Sequence, residues 1–270
     1  MSIGPDLTCA KVRHCRCKAM ASGPESVDRR YICRVFLIGV AAVNGAAEWK
    51  GYAVFDEQRG PESQAQAAYL TLERKIIMLE IEPGAVFSES AIIEFAGVGR
   101  TPAREAVQRL SLEGLVEIRP RAGVRITEIR ADDFLNVLEV RKSLEPRLAL
   151  LSTRFATPSQ RRRVSECQET MSAAALSGDV PSFLEADKAF DAAMGAACPN
   201  PYLAATLRPL QSHSRRFWYR FFADTELQVS TDMHDRVMAA FIGADAELAA
   251  RAMTALIEGM LERAIALRTA

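Results

Sequence analysis

Residues 99–127 read GRTPAREAVQRLSLEGLVEIRPRAGVRIT, and this stretch decides which fold to expect. Thr101 followed by Pro102 predicts a helix start, because the hydroxyl can accept from a backbone N–H and proline is tolerated at the first helical position. Apolar side chains then recur with the helical period, at Ala103, Ala106, Val107 and Leu110. The opposite face is expected to carry Thr101, Arg104, Glu105 and Gln108.

A short basic ribbon follows this helix. Gly114 is expected to end the helix, and residues 115–118 and 124–127 predict two short strands around a turn that contains Pro120, Arg121 and Gly123. The stretch holds six arginines and three glutamates, a net charge of +3 in a chain whose net charge is zero. Positive charge is therefore concentrated here.

A helix with exposed arginine and glutamine, followed by a basic ribbon, is typical of a winged helix-turn-helix. The helix can enter the major groove, and the ribbon can contact the DNA backbone or the minor groove. An ordinary surface helix and hairpin is the alternative interpretation.

The same residues resemble a known family. The shared positions are Pro83-Gly84, Ser88-Glu89, the run GVGRTPAREA at 97–106, Leu110, Glu113-Gly114-Leu115 and Gly123. They are similar to the DNA-binding domain of GntR-family transcription regulators. The resemblance implies that Arg100, Arg104 and Arg109 contact phosphates or bases, that Thr101 caps the recognition helix and touches the DNA backbone, and that Gly123 lets the wing approach the groove.

Two positions depart from the family pattern. Gly99 stands where the family usually has serine, so one phosphate-contacting hydroxyl is missing, and we expect a modest loss of affinity. Leu79 stands where the family usually has glycine, and we expect a change in packing. The full set of residues expected to contact DNA is Arg100, Thr101, Arg104, Glu105, Gln108, Arg109, Arg121 and Gly123.

Composition is that of an ordinary soluble protein. The chain has 270 residues, of which 49% are hydrophobic and 25% charged, and this length accommodates two domains. No apolar run reaches the roughly 18 residues that a membrane-spanning helix needs. We therefore expect a cytoplasmic protein without a membrane partner.

The first 60 residues fit poorly with the rest. Arg29-Arg30, the apolar residues 35–43 and the small residues 45–47 superficially resemble a secretory signal, but a DNA-reading module outside the cytoplasm would have no substrate. Zinc binding by Cys9, His14, Cys15, Cys17 and Cys33 is the other alternative, although no Cys-x-x-Cys pair is present. We expect residues 1–60 to be a disordered extension or the product of an over-long gene start.

The remaining chain predicts a mainly α fold, in which an N-terminal winged helix-turn-helix at residues 64–128 precedes an all-α helical bundle at residues 132–268. Asp132-Asp133 is expected to cap a helix over residues 134–155. Further helices are expected to begin at Thr157-Pro158, Val180-Pro181, Tyr202, Thr231 and Asp245.

The second half resembles the FCD effector domain of FadR-like GntR regulators. The resemblance rests on Val140-Arg141, Leu144-Glu145, Gly178-Asp179, Phe183, Asp187, Phe190, Asn200-Pro201, His234 and Asp245. That domain binds small carboxylic acids, often through a metal held by one aspartate and three histidines. Carried over, the aspartate falls on Asp187 and the histidines fall on Asp191, His234 and Leu256, so two of the four ligands match.

Asp187 and Asp191 lie four residues apart, which places both carboxylates on one helix face, and His234 is a candidate to meet them from another helix. Three ligands can hold a cation in an oxygen-rich site. A solvated acidic face and a hydrogen-bonded core histidine are the alternative. The sequence leaves a divalent metal at Asp187, Asp191 and His234 open, and it indicates no other cofactor.

Residues 212–220, SHSRRFWYR, place cations and aromatic rings on one helix, a suitable lining for an anionic or aromatic effector. Arg215 or Arg216 is expected to reach the pocket, and Arg220 to face solvent. The expected effector is a small organic acid with an apolar or amine-bearing portion, held by arginine rather than by chelation. The residues expected to bind it are Arg141, Asp187, Asp191, His213, Arg215, Arg216, His234 and Leu256.

These observations predict a ligand-responsive regulator, either repressor or activator, that binds a double-stranded DNA operator as a homodimer. A metal-dependent binding module or enzyme using Asp187, Asp191 and His234 is the alternative. No ordered set of nucleophile, base and orienting group, no phosphate loop and no Cys-His signature supports catalysis.

Overall fold

The structure is a computed structural model that describes residues 63–223 and 225–269. The signal-like segment, the early cysteines with His14, and the expected extension over residues 1–60 all lie outside the described residues. Within the described part, no helix is long and apolar enough to cross a membrane.

The N-terminal half is a winged helix-turn-helix. Its three helices are α1 (Gln64–Ile77), α2 (Glu89–Ala96) and α3 (Arg100–Leu112), and its strands are β1 (Val86–Phe87), β2 (Val116–Arg119) and β3 (Gly123–Ile126). The strands form an antiparallel sheet in the order β1-β3-β2, with Val86 opposite Arg125 and Ile118 opposite Val124. The wing is the β2-β3 hairpin.

Helix ends in this half follow the local chemistry. Ser88 caps α2 by accepting from the Ala91 N–H, and Gly97 closes the helix in the left-handed conformation. The prediction that Thr101 caps α3 is wrong, because the helix begins at Arg100 and Gly99 is the cap residue, with no side-chain hydrogen bond. Thr101 lies inside the first turn and is exposed.

Two residues in this half have demanding backbone geometry. Gly123 has a φ of +100°, and a Cβ there would lie 2.2 Å from the Phe87 carbonyl oxygen, so only glycine lets β3 pass β1. Leu79 has a φ of +55°, in the left-handed region that costs residues with a Cβ about 1–2 kcal/mol. The departure at Leu79 therefore concerns the backbone as well as packing.

The C-terminal half is a bundle of six helices within the described residues. They are α4 (Ala131–Phe155), α5 (Pro158–Ser177), α6 (Val180–Ala197), α7 (Pro201–Phe221), α8 (Leu227–Ile242) and α9 (Ala246–Thr269). Their core includes Leu138, Phe190 and Phe241, and Phe134 stacks on Phe217 with ring centroids 3.8 Å apart.

The bundle helices differ in how well the sequence predicts where they begin. Thr157 and Gln160 form a capping box at the start of α5, with Pro158 at the first helical position. The prediction that Asp132-Asp133 caps α4 is wrong, because this helix begins at Ala131 after Arg130. Both aspartates lie in its first turn, where their negative charge is stabilised by the positive end of the helix dipole.

The fold-class prediction, a winged helix-turn-helix followed by an all-α bundle, is confirmed by the described residues. Both halves belong to one compact unit. Residues 127–130 form the joint between β3 and α4.

Candidate DNA-binding face and effector pocket

The recognition helix α3 presents a polar face. Ala103, Ala106, Val107 and Leu110 are buried, whereas Thr101, Arg104, Glu105 and Gln108 are exposed. An open groove of about 630 Å³ lies beside this face, lined by Arg104 and Gln108 from α3 and by the wing tip. The helix and the wing therefore share one polar surface.

Glu89 at the start of α2 organises two of the arginines. The Arg104 guanidinium donates to both Glu89 carboxylate oxygens, at 2.7 and 3.0 Å, and Arg100 lies 3.5 Å from the same group. The hydrogen bond from Arg104 holds the pKa of Glu89 below its usual value. Both arginines are largely solvent-exposed, at 71% for Arg100 and 58% for Arg104, so phosphates can compete for them.

Arg109 does not belong to this face. Its side chain is only 17% exposed, and its guanidinium lies 3.6 Å above the Tyr69 ring. It donates to Glu113 and to the Gln66 side chain. The expectation that Arg109 contacts DNA is therefore corrected, because this arginine ties α3 to α1 inside the domain.

The wing residues lie at different distances from the tip of the hairpin. Arg121 is exposed at the tip with a φ of +64°, and Arg119 and Gly123 line the groove beside it. Arg125 is turned back toward Gly84 and Glu128. Arg121 is thus the wing arginine best placed to reach DNA.

The bundle contains a small, partly open cavity of about 40 Å³. Its polar lining includes Arg141, Asp187, Asp191, Gln211, Ser214, Arg215 and His234. Its apolar lining includes Phe183, Leu184, Trp218, Met233, Leu256 and Met260. Six of the eight residues that the sequence suggested for effector binding line this cavity, and Leu256 is one of them, on its apolar side.

Asp187 and Asp191 face the same atom. Arg215 Nη1 lies 3.2 Å from Asp187 Oδ2 and 2.7 Å from Asp191 Oδ2. His234 Nε2 lies 3.0 Å from the other Asp187 oxygen, and His234 Nδ1 donates to the Ser230 carbonyl at 2.7 Å. Both ring nitrogens of His234 face oxygen acceptors, which favours the doubly protonated imidazolium.

Titration of this cluster is uneven. Burial opposes ionisation of Asp187, but the hydrogen bond and charge of His234, with Arg215, outweigh burial and lower its pKa. Burial and the neighbouring Asp187 charge raise the pKa of Asp191 to about 7. Burial also opposes the charged form of His234, but its bond to Asp187 raises its pKa.

A second ion pair lies beside this cluster. Arg141 donates to both carboxylate oxygens of Glu145 at 2.9 Å, and Gln211 donates to the same carboxylate. Sequence reasoning selected Arg141 but missed Glu145, Gln211 and Ser214. A charged residue at Glu145, one helical turn after Arg141 and three residues before the buried Leu148, was the available signal for Glu145.

His213 and Arg216 do not line the cavity, which corrects the expectation that both bind the effector. His213 Nε2 donates to the Glu113 carbonyl at the end of α3. Arg216 donates to the Thr127 hydroxyl and carbonyl, at 3.0 and 2.7 Å, and burial lowers its pKa to about 10. Both side chains extend from α7 to the DNA-binding half, because they leave the helix in a different direction from Arg215.

Glu73 is the main charged contact between the halves, and sequence reasoning missed it. This buried α1 carboxylate accepts from Ser212 and Lys188 of the bundle and from Tyr69 of its own helix. Burial raises its pKa, but Lys188 and Arg215 outweigh burial, so the pKa is lowered. Its position was the signal that could have identified it, because Glu73 lies on the same helix face as the apolar Tyr69, Leu72 and Ile76.

The candidate metal ligands do not fit a metal ion in this arrangement. Among the described residues, no cluster of three or more His, Cys, Asp or Glu side chains has the geometry to hold one. Arg215 Nη1 lies between the two aspartates, where a shared cation would have to bind.

Comparison with known proteins identifies both halves of the chain. Residues 64–126 match the family described as bacterial regulatory proteins, gntR family, and residues 136–259 match the FCD domain. An HTH-type transcriptional regulator of Agrobacterium vitis is 31% identical over 130 residues, which cover 47% of this chain and 76% of that protein.

Two longer matches extend across both halves. YieP of Escherichia coli (strain K12), an HTH-type transcriptional regulator, is 26% identical over 72% of this chain and 94% of its own length. LutR of Bacillus subtilis (strain 168), also an HTH-type transcriptional regulator, is 28% identical over 67% of this chain and 94% of its own length.

Solved structures show the same fold. E. coli McbR/YncC superimposes with a TM-score of 0.66 at 19% identity, covering 76% of this chain and 99% of that one. A GntR transcriptional regulator from Rhodococcus sp. RHA1 gives a TM-score of 0.61 at 19% identity, covering 75% and 98%. The chain belongs to the GntR family of bacterial transcription regulators, carries an FCD domain, and is a DNA-binding regulator rather than an enzyme.

Proposed function

We propose that operator binding by this regulator is controlled by a small organic acid that enters the bundle cavity. The observation that carries the proposal is the position of Arg215. It lines the cavity, and its Nη2 lies 3.4 Å from Ser212 Oγ. Ser212 in turn donates to Glu73 of the DNA-binding half.

Unsatisfied polar atoms support a ligand that accepts hydrogen bonds. Ser214 Oγ and Arg215 Nε are buried and have no hydrogen-bond partner among the described residues. Buried donors without partners are costly, and an incoming carboxylate would satisfy them. The apolar wall at Leu256 and Met260 suits a short carbon chain or an apolar group beside the carboxylate.

The size of the cavity supports a change of shape on binding. Its volume of about 40 Å³ is far below the roughly 300–1,000 Å³ of typical small-molecule pockets. An acid of more than a few atoms must therefore displace lining side chains, and movement of Arg215 would disturb the Ser212–Glu73 contact. We propose that this disturbance shifts the recognition helix, and that the regulator acts as a cytoplasmic homodimer on a palindromic operator.

The experiment has two stages. A binding sequence is first selected from random double-stranded DNA with the full-length chain, and the mass of the complex is measured by light scattering. The affinity for that sequence is then measured with and without acetate, glycolate, lactate, succinate and benzoate. At least one acid should change the affinity, and Ser214→Ala should weaken that response. Unchanged affinity with every acid would overturn the effector proposal while leaving the DNA-binding function intact.

A further inference from the structure

The centre of the bundle cluster is arranged around a cation that belongs to the chain. Asp187 and Asp191 lie one turn apart on α6, and their carboxylates converge on Nη1 of Arg215 from α7. The side chains of Arg215 and Asp187 are 6% and 11% exposed. Two carboxylates this close and this buried repel each other unless a positive charge lies between them.

Two kinds of cation can meet this need. A divalent metal ion would take the carboxylates and the imidazole as ligands, and a guanidinium can instead donate hydrogen bonds to the carboxylates. The structure contains the second arrangement. Arg141 lies nearby, but it donates hydrogen bonds to both carboxylate oxygens of Glu145, so its charge is already matched.

We propose that Arg215 is the resident cation of this site, and that its guanidinium excludes divalent metal ions from Asp187, Asp191 and His234. The proposal goes beyond effector control, since it states that an arginine side chain of the protein takes the place of a bound metal ion. It also predicts that the same three side chains become a site for a hard divalent cation once the arginine charge is removed.

His234 supports the second part of the proposal. Its Nδ1 donates to the Ser230 carbonyl, which leaves Nε2 pointing at Asp187. Metal-binding histidines are usually oriented in this way by a hydrogen bond at the other ring nitrogen. Removal of the guanidinium would leave two carboxylates and one oriented imidazole with no competing donor between them.

An arginine also does what a metal ion could not do here. A metal held by Asp187, Asp191 and His234 would contact only side chains of the bundle. The guanidinium reaches Ser212 as well, and Ser212 contacts Glu73 of the DNA-binding half. With arginine in place of a metal ion, one positive charge therefore contacts the cavity and, through Ser212, the interface between the bundle and the DNA-binding half.

The test uses the full-length chain with Mn²⁺, because manganese prefers oxygen and imidazole ligands whereas the six cysteines of the chain favour softer metals. Wild type, Arg215→Met and the control Arg216→Met are incubated with Mn²⁺ and desalted. Retained manganese is measured by atomic emission, and the shift in thermal midpoint caused by Mn²⁺ is recorded. Arg216 is a matched buried arginine on the same helix outside the cluster.

Wild type and Arg216→Met should retain no stoichiometric manganese and show no shift. Arg215→Met should retain about one equivalent and be stabilised by Mn²⁺, since ligands that bind the folded state raise its stability. Asp187→Asn added to Arg215→Met should abolish both effects. Stoichiometric manganese in the wild type, or no manganese-dependent stabilisation of Arg215→Met, would overturn the proposal. If Arg215→Met does not fold, Arg215→Gln provides a second neutral variant. Manganese retention by the wild type tests the proposal independently of both variants.

Discussion

The Ser212 hydroxyl of the helical bundle donates a 2.7 Å hydrogen bond to the Glu73 carboxylate in the first helix of the DNA-binding half, and both side chains are buried. This bond joins two parts of the chain that are 139 residues apart in sequence. Buried polar contacts therefore help to hold the two halves together, and each missing partner in such a contact is costly.

Ser212→Ala should loosen the DNA-binding half selectively. Glu73 would keep Lys188 and Tyr69 but lose one donor, a loss of about 1–3 kcal/mol for a buried charged group. Calorimetry should change from one unfolding transition to two. Ser230→Ala is the control, because Ser230 accepts from Trp218 entirely within the bundle and its loss should leave a single transition. Equal behaviour of the two variants would contradict the coupling.

Asp191→Asn should remove part of the pH dependence of stability. The pKa of Asp191 is about 7 in the folded chain against an ordinary 3.8, so folding binds a proton between these values and stability falls as the pH rises through this window. His234, whose pKa is raised, acts in the same direction, and Asp187, whose pKa is lowered, acts only at more acidic pH. Urea midpoints measured from about pH 5 to about pH 8 should decline less in Asp191→Asn than in wild type. Parallel curves would show that Asp191 does not titrate in this range.

Arg104→Ala and Arg109→Ala should fail in different ways. Arg104 is exposed beside the groove, so its removal should weaken specific DNA binding by about 1–3 kcal/mol with little effect on thermal stability. Arg109 stacks on Tyr69 and bonds Gln66 and Glu113, so its removal should mainly destabilise the domain. Fluorescence anisotropy with the selected operator and thermal melts separate the two. Unchanged affinity in Arg104→Ala would remove α3 as the recognition helix.

Gly99→Ser should strengthen both α3 and DNA binding. Gly99 is the cap residue without a side-chain bond, its φ of −69° suits any residue, and a Cβ there meets only Pro102 at 4.0 Å. A serine cap should add a few tenths of a kcal/mol to stability, and its hydroxyl supplies a phosphate donor. Gly99→Ala serves as the control that adds a Cβ without a hydroxyl. If serine and alanine gave equal DNA affinity, the missing hydroxyl would have no role.

Leu79→Gly should stabilise the turn after α1. The left-handed backbone at Leu79 costs a residue with a Cβ about 1–2 kcal/mol, part of which is offset by the greater flexibility of glycine when unfolded. We expect a net gain of roughly 0.5 kcal/mol in urea unfolding. Leu79→Ala, which keeps the backbone strain and shortens the side chain, should not gain stability. A loss of stability in Leu79→Gly would show that packing of the leucine dominates.

Local signals were sufficient for most helices. The start of α5 is capped by Thr157 with Pro158 and Gln160, which are neighbours in the sequence. The two ends of the short helix α2 are capped by Ser88 and Gly97. The sequence alone predicts these ends because each cap is a local contact. Strand β1 was not predicted, because its two residues are too few to show periodicity and the strand exists only by pairing with β3. The caps predicted at Thr101 and Asp132 were each misplaced by two residues, because the actual cap residues, Gly99 and Arg130, make no side-chain capping hydrogen bond.

Side-chain direction at the site was harder to predict. Arg215 and Arg216 are adjacent, yet Arg215 faces the aspartates and Arg216 faces Thr127, and their sequence neighbours do not distinguish them. Arg109 lies three residues after the buried Ala106 and one before the buried Leu110, so the helical period could have placed it near the inner face. The partners of Glu73 come from α6 and α7, and only the packed structure brings them together.

The bonds from Arg216 to Thr127 set a condition for building hybrid regulators. Thr127 directly follows the wing strand, so a fusion made within residues 127–130 would separate the wing from the arginine that fastens it. A foreign DNA-reading half would need a hydroxyl where Thr127 stands and an acid where Glu73 stands. Without them the two halves of the hybrid would be uncoupled. The hybrid would still bind its target sequence, but ligand binding in the bundle would not change that binding.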